Sequence, residues 1–287
     1  MRFGLAGLAS LILGGAALAQ SAPCGSLVAS VTALTGVEVR QMPQPQEGWC
    51  RLDGAVLQVG EAEVVAERLG LRGEASGAVL TDLEIEAKGL RLRPGLGGTL
   101  DPTWRETFRL QSADLTLQVS ADPAGLVLRR AEVRLSGGSE LRLEADVAGA
   151  ALAPAALALG RLTRLSLDWR NDGRLLRPAL AAAGEALDPG ASGPKALDAA
   201  RAALRAVVAA LPEAMVGEGA RKELEELIDA LPQGRGRLVL DLRADGGIGA
   251  AQLATAALAE DPTAPETLAR LLAGVVLSVD WTPGLTP

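Results

Sequence analysis

The 287-residue chain contains no histidine and no tyrosine, and its only aromatic residues are four Trp and two Phe. Each absence removes a chemistry. Without His there is no Ser-His-Asp or Cys-His nucleophile, no imidazole base, and almost no zinc or transition-metal site. The glycine-rich signatures are missing too: no GxGxxG follows a strand, and there is no Walker loop or G-x-S-x-G elbow. Gly95-Leu96-Gly97-Gly98 reads as a turn, because no buried strand precedes it and no helix follows. No D-x-D-x-D-G calcium loop occurs. Two carboxylates could still hydrolyse a glycoside, but such sites stack sugars on aromatic platforms, and aromatics are 2% of this chain. The expectation is a protein that is not an enzyme and takes no cofactor or metal, with a carboxylate hydrolase as the outlying alternative.

Lysine is scarce as well. Lys88, Lys195 and Lys222 are the only three, the other basic residues are arginines, and the net charge is −7. An acidic chain without a basic run is a poor match for nucleic acid, so no nucleic-acid partner is expected. Arginine in place of lysine, beside abundant alanine, fits a GC-rich bacterial genome.

A long hydrophobic run occurs only at the N-terminus. Arg2 supplies a positive n-region, Leu5 to Leu13 an apolar h-region, and Ala17-Leu18-Ala19 a small-residue cleavage site. This pattern predicts a secretory signal peptide over 1–19, cleaved between Ala19 and Gln20, and it is too short to be a membrane span. Ser21-Ala22-Pro23 lacks the aliphatic residue of a lipobox, so lipid anchoring at Cys24 is not expected. No transmembrane anchor is expected after cleavage, and the mature protein is placed in the periplasm. The two cysteines agree with export. Cys24 and Cys50 have no C-x-x-C spacing, and an exported pair reads most simply as a disulfide. It would fasten the N-terminal segment onto a strand starting at Trp49 and stabilise the fold by about 3 kcal/mol.

Between 20 and 148, period-two alternation dominates after a short helix with Leu27, Val31 and Leu34 on one face. Met42 to Gly48 reads as a loop. Strands follow around Leu57/Val59, Leu69/Leu71 and Leu83/Ile85/Ala87. Later ones lie around Leu115/Leu117/Val119, Ala131/Val133/Leu135 and Leu141/Leu143/Ala145. The apolar phase flips at Gly89 and again at Arg129-Arg130, and each flip predicts a β-bulge. Arg134, Arg142 and Glu144 fall on the polar face, as solvated or cross-strand paired residues. Tight polar turns between short strands indicate an antiparallel meander with one wet face.

The C-terminal part, 149–287, opens with an Ala-rich joint from Gly149 to Gly160. It then uses one unit twice: Arg164–Ala183 and Arg237–Ala256 agree at ten of twenty positions on the skeleton R-L-x-L-D-x-R-x-D-G. Each copy reads as a strand, an Asp-Gly break and a helix, with Asp172 available as a helix cap. Further helices are expected from Pro194 to Leu211, from Glu218 to Leu231, and after the capping box Thr263–Glu266. Their polar faces mix Glu with Arg and their stripes lack Trp and Phe, which argues against a membrane-surface role. A strand with Val275, Leu277, Val279 and Trp281 closes the chain. The fold class expected is α+β: a curved, mainly antiparallel meander with C-terminal helices packed on one face, 20–148 and 149–287 forming two parts or one continuous domain.

The strands from Leu83 to Val147, together with Leu165–Leu180 and Leu238–Leu253, resemble bacterial envelope proteins of the AsmA-like type. That resemblance implies a curved sheet whose apolar concave face shelters lipid or packs on helices. The chain departs from the large AsmA-like proteins in being short and in lacking an anchor. Two functions are therefore expected in order. The first is a non-enzymatic exported protein that binds lipid or another hydrophobe on its sheet. The second is an envelope scaffold whose sheet is filled by its own helices and whose partner is another envelope protein.

Overall fold

The computed structural model describes residues 20–21, 23–60, 62–76, 79–93, 111–173, 176–257 and 265–284. Ala19 and the rest of the expected signal peptide, the Gly95–Gly98 turn, Leu175 and Thr263 lie outside the described residues.

One open antiparallel sheet organises the molecule. Its short N-terminal strands are β1 (Gln20–Ser21), β2 (Glu38–Val39) and β3 (Gln44–Gln46). The long strands begin with β4 (Trp49–Val59), β5 (Ala62–Ser76) and β6 (Val79–Arg93). They continue through β7 (Ala113–Asp122), β8 (Gly125–Leu135) and β9 (Glu140–Ala148). The last three are β10 (Arg161–Asn171), β11 (Gly236–Gly249) and β12 (Val275–Pro283). From β4 to β12 each strand pairs with its neighbour in sequence, so the sheet is a meander. β2 and β3 share the outer edge of β4, and β1 pairs with Glu74 and Ala75 of β5. No break occurs at 149–160: β9 and β10 pair along nearly their whole length.

Both expected bulges are present. The β6–β7 register shifts between Ala87 and Leu90, where Gly89 has φ +62° and its N–H donates to Asp114 Oδ1 at 2.9 Å. The β7–β8 register skips Arg129. Each extra residue restores the apolar side chains to one face after the phase flip. The turns follow their residues: Asp122 Oδ1 accepts the N–H groups of Ala124 and Gly125, closing β7 onto β8.

Two local expectations change. The Met42–Gly48 segment holds the strand β3, which turns onto β4 through Glu47 and Gly48, both with positive φ. Its Gln-Pro-Gln sequence has no apolar alternation because every one of its residues is exposed. The second copy of the repeat also departs from the first. Its Asp245-Gly246-Gly247 does not end the strand, since Ile248 and Gly249 pair again with Leu162 and Arg161 of β10. Residues 244–247 bulge opposite the single Thr163, with Gly247 at φ +67°.

Helix α1 (Cys24–Thr35) buries Leu27 and Val31 and ends at Gly36, whose φ of +70° suits a glycine C-cap. The short α2 (Pro154–Leu159) fills the Ala-rich joint. Three helices lie between β10 and β11: α3 (Leu176–Leu187), α4 (Pro194–Ala210) and α5 (Glu218–Ala230). They form one excursion between two paired strands. Its neck is stitched by buried Asn171, whose Nδ2 donates to Gly234 O at 2.5 Å, and by Arg235 Nε donating to Asp172 O. Asp172 also accepts the Ser139 hydroxyl at 2.8 Å. Helices α6 (Ala250–Ala257) and α7 (Pro265–Leu271) connect β11 to β12.

Candidate ligand-binding face of the sheet

Strand register decides which side chains share a face. Leu71, Ile85, Leu117, Ala131, Leu143, Leu167, Leu240 and Val279 stand opposite one another in turn across eight strands. A second row places Leu115, Val133, Leu141, Trp169, Leu238 and Trp281 side by side. The Leu positions of both repeat copies, Leu165, Leu167, Leu238, Leu240 and Leu242, all fall on this apolar face.

Coverage of that face is uneven. At the N-terminal end one cluster joins Leu27 and Val31 of α1 to Leu69, Leu71, Leu83 and Ile85, and continues through Val119 and Leu126 to Ala150 and Leu152. At the C-terminal end Met215, Val216 and Leu224 pack over Leu240, Leu242, Leu277 and Val279. Neither cluster takes in Val133, Leu141, Leu143, Leu165, Leu167 or Trp169. Leu141 is 37% exposed, against 1% for Leu71 and 4% for Trp281. Val133, Leu143, Leu165, Leu167 and Trp169 are half-buried. Part of β8 to β10, at Val133, Leu141, Leu143, Leu165, Leu167 and Trp169, thus forms a strip of aliphatic and indole side chains that belongs to neither core cluster, although Leu126 and Leu128 of β8 and Val147 of β9 join the N-terminal one.

The disulfide fixes the N-terminal core. Cys24 and Cys50 are bonded, with Cα atoms 5.4 Å apart, joining the first residue of α1 to β4. Gln20, expected as the first mature residue, begins β1 against β5.

The opposite, wet face carries charge in ordered pairs. Arg134 and Arg142, read from sequence as solvated or cross-strand paired, both hold Glu132, while Glu144 is exposed. Glu132 is the feature that sequence reasoning missed. It is 2% exposed, and Arg130, Arg134 and Arg142 surround its carboxylate. Burial alone would raise its pKa; the Arg130 hydrogen bond and charge, with those of Arg142 and Arg134, outweigh this and hold it below the usual glutamate value. The signal was available as Arg-x-Glu-x-Arg at 130–134, which puts all three side chains on one face of a strand. On the neighbouring strands Arg237 grips Asp168 with two hydrogen bonds of 2.9 and 2.7 Å. That bond, then the charge of Arg237, keeps the Asp168 pKa low against burial, and raises that of Arg237.

Among the described residues no group of three or more His, Cys, Asp or Glu is arranged to hold a metal ion, and no helix is long and apolar enough to cross a membrane. Comparison with protein-family models, with curated proteins and with solved structures found no match to this chain.

Proposed function

We propose that the chain is a non-enzymatic exported protein of the bacterial periplasm that binds a lipid or similar hydrophobe on its apolar sheet face. The observation that carries this reading is the strip of half-buried Val133, Leu143, Leu165, Leu167 and Trp169 around exposed Leu141, which belongs to neither core cluster. A contiguous apolar surface left in water costs roughly 25 cal/mol per Å2, and such patches mark binding surfaces more often than chance. The signal-peptide pattern and the Cys24–Cys50 disulfide support an oxidising compartment outside the cytoplasm. The resemblance to AsmA-like envelope proteins supports the same place and the same kind of ligand. Native mass spectrometry of the protein released gently from cells tests it. A co-purified lipid adduct is expected; bare protein that also refuses an added fatty acid would sink the reading.

One observation favours a second reading, an envelope scaffold whose sheet is filled by its own chain. Helices α1 and α5 already close both ends of the face. On that reading the sheet takes no small-molecule ligand and the partner is another envelope protein; a pull-down from envelope extracts would return it reproducibly, and the absence of any reproducible partner counts against this reading.

A further inference from the structure

Among the hollows of the wet face, one on β9–β11 and one on β4–β6 are of equal size, each about 190 Å3. Both are walled by several cations, but their charge balance differs. In the hollow on β9–β11, Asp168 takes Arg237 through two hydrogen bonds and Glu140 takes Arg142 at 3.3 Å, so two of its three arginines already have carboxylate partners. In the hollow on β4–β6, the wall is Arg51, Arg68, Lys88 and Glu86, and the floor is Gly70. Among the described residues Arg51 and Lys88 make no ion pair, and Arg68 reaches only Asp53, at 3.5 Å, whose side chain is 85% exposed.

The position of these groups follows from register. Arg51, Gly70 and Glu86 are opposed in one row, and Asp53, Arg68 and Lys88 in the next. Gly70 leaves the space: a Cβ there would stand 3.2 Å from the Trp49 ring and 3.5 Å from an Arg51 Nη. The guanidinium of Arg51 lies 5.1 Å from the centre of the Trp49 ring, which Arg72 stacks at 4.9 Å. Contact with the indole restrains the Arg51 guanidinium beside Gly70, where it lines the hollow.

We propose that this hollow is a binding site for a phosphate-type oxyanion, with Arg51 as the restrained guanidinium and Arg68 and Lys88 closing from the next row. Three cations against Glu86 give the lining a charge of about +2, or about +1 when the exposed Asp53 carboxylate that reaches Arg68 is counted, which suits a phosphate-type anion. The site is on the face opposite the apolar strip, so it stands whether or not that strip binds lipid. The phosphate could be free or carried on a lipid headgroup.

The test is calorimetric titration of the full mature chain at low salt, with three probes. These are inorganic phosphate, vesicles of phosphatidylcholine with phosphatidic acid, and sodium chloride as the ionic-strength control. Saturable binding of phosphate, absent with chloride, is expected in the wild type. It should weaken at least tenfold in the Arg51→Gln/Lys88→Gln double variant, whose thermal melt should stay within a few degrees of the wild type, because among the described residues neither side chain is ion-paired and the Trp49 ring keeps its contact with Arg72. Arg170→Gln, in the other hollow, should leave it unchanged. Binding of the vesicles alone would assign the headgroup source, and binding of phosphate the free anion. No binding of either probe, or equal binding by the double variant, overturns the proposal.

Discussion

At the N-terminal end of the sheet Leu71 lies 1% exposed beneath α1, while four strands away in the neighbouring row Leu141 is 37% exposed. The two leucines have the same place in the alternation and the same face. The difference is what the chain lays over them. Over β4 to β6 it places a helix held by a disulfide, and over β11 and β12 a helical excursion docked on the sheet edge. That docking is explicit: Leu277 N–H donates to Met215 O at 2.9 Å, and Trp281 N–H to a carboxylate oxygen of Glu223 at 3.1 Å. Both contacts use outward backbone groups of the last strand, which would otherwise invite another strand to pair. The ends are therefore built for stability, and the middle is left with apolar surface that the two clusters do not use.

This contrast can be broken by mutation. Leu71→Ala should cost most, about 3.5 kcal/mol, because it opens a cavity in a closed core. Urea unfolding measures it, and a loss below about 1 kcal/mol would mean the N-terminal core is not packed as described. Replacing both Cys24 and Cys50 with Ser should cost about 3 kcal/mol through release of the 26-residue separation they close. The same loss should appear when the wild type is unfolded under reducing conditions.

Glu132→Gln comes next, at about 2 kcal/mol. It leaves three arginines without their shared counter-charge, an effect moderated because those arginines are partly exposed. The pH dependence follows from the sign of the shift. Glu132 has a folded pKa below its unfolded value, so its contribution is complete above the ordinary glutamate value and disappears as pH falls through the folded pKa. Stability measured from pH 6 down to pH 3 should fall less in Glu132→Gln than in the wild type; parallel curves would contradict the assignment. Leu141→Ala should have the smallest effect, about 0.5 kcal/mol, since its side chain already meets solvent.

Much of this arrangement was legible in the residues, and the rest was hidden for physical reasons. Alternation of Leu83, Ile85 and Ala87 against Asp82, Glu84 and Glu86 shows a strand and its faces, and the flips at Gly89 and Arg129 show where it must bulge. Two cysteines with no third to compete show their own pairing. Alternation does not show coverage: Leu71 and Leu141 look alike in sequence because covering depends on contacts with α1, more than thirty residues away. The hairpin strand β3 was hidden because an exposed edge needs no apolar residue. In the second repeat copy an identical Asp-Gly stays within the strand, since β10 is available to pair with Ile248 and Gly249. Glu132 was legible only in combination, as its third arginine arrives from the next strand.

The central claim is that the strip belonging to neither core is a binding surface. Titration of a fluorescent fatty acid into the wild type and into Leu143→Asp tests it most directly, with a thermal melt on each. Leu143 is half-buried in the middle of the strip and belongs to neither core cluster. Saturable uptake by the wild type is predicted, at least tenfold weaker in Leu143→Asp while the melt stays within a few degrees. No uptake by the wild type, or equal uptake by the variant, would contradict the account.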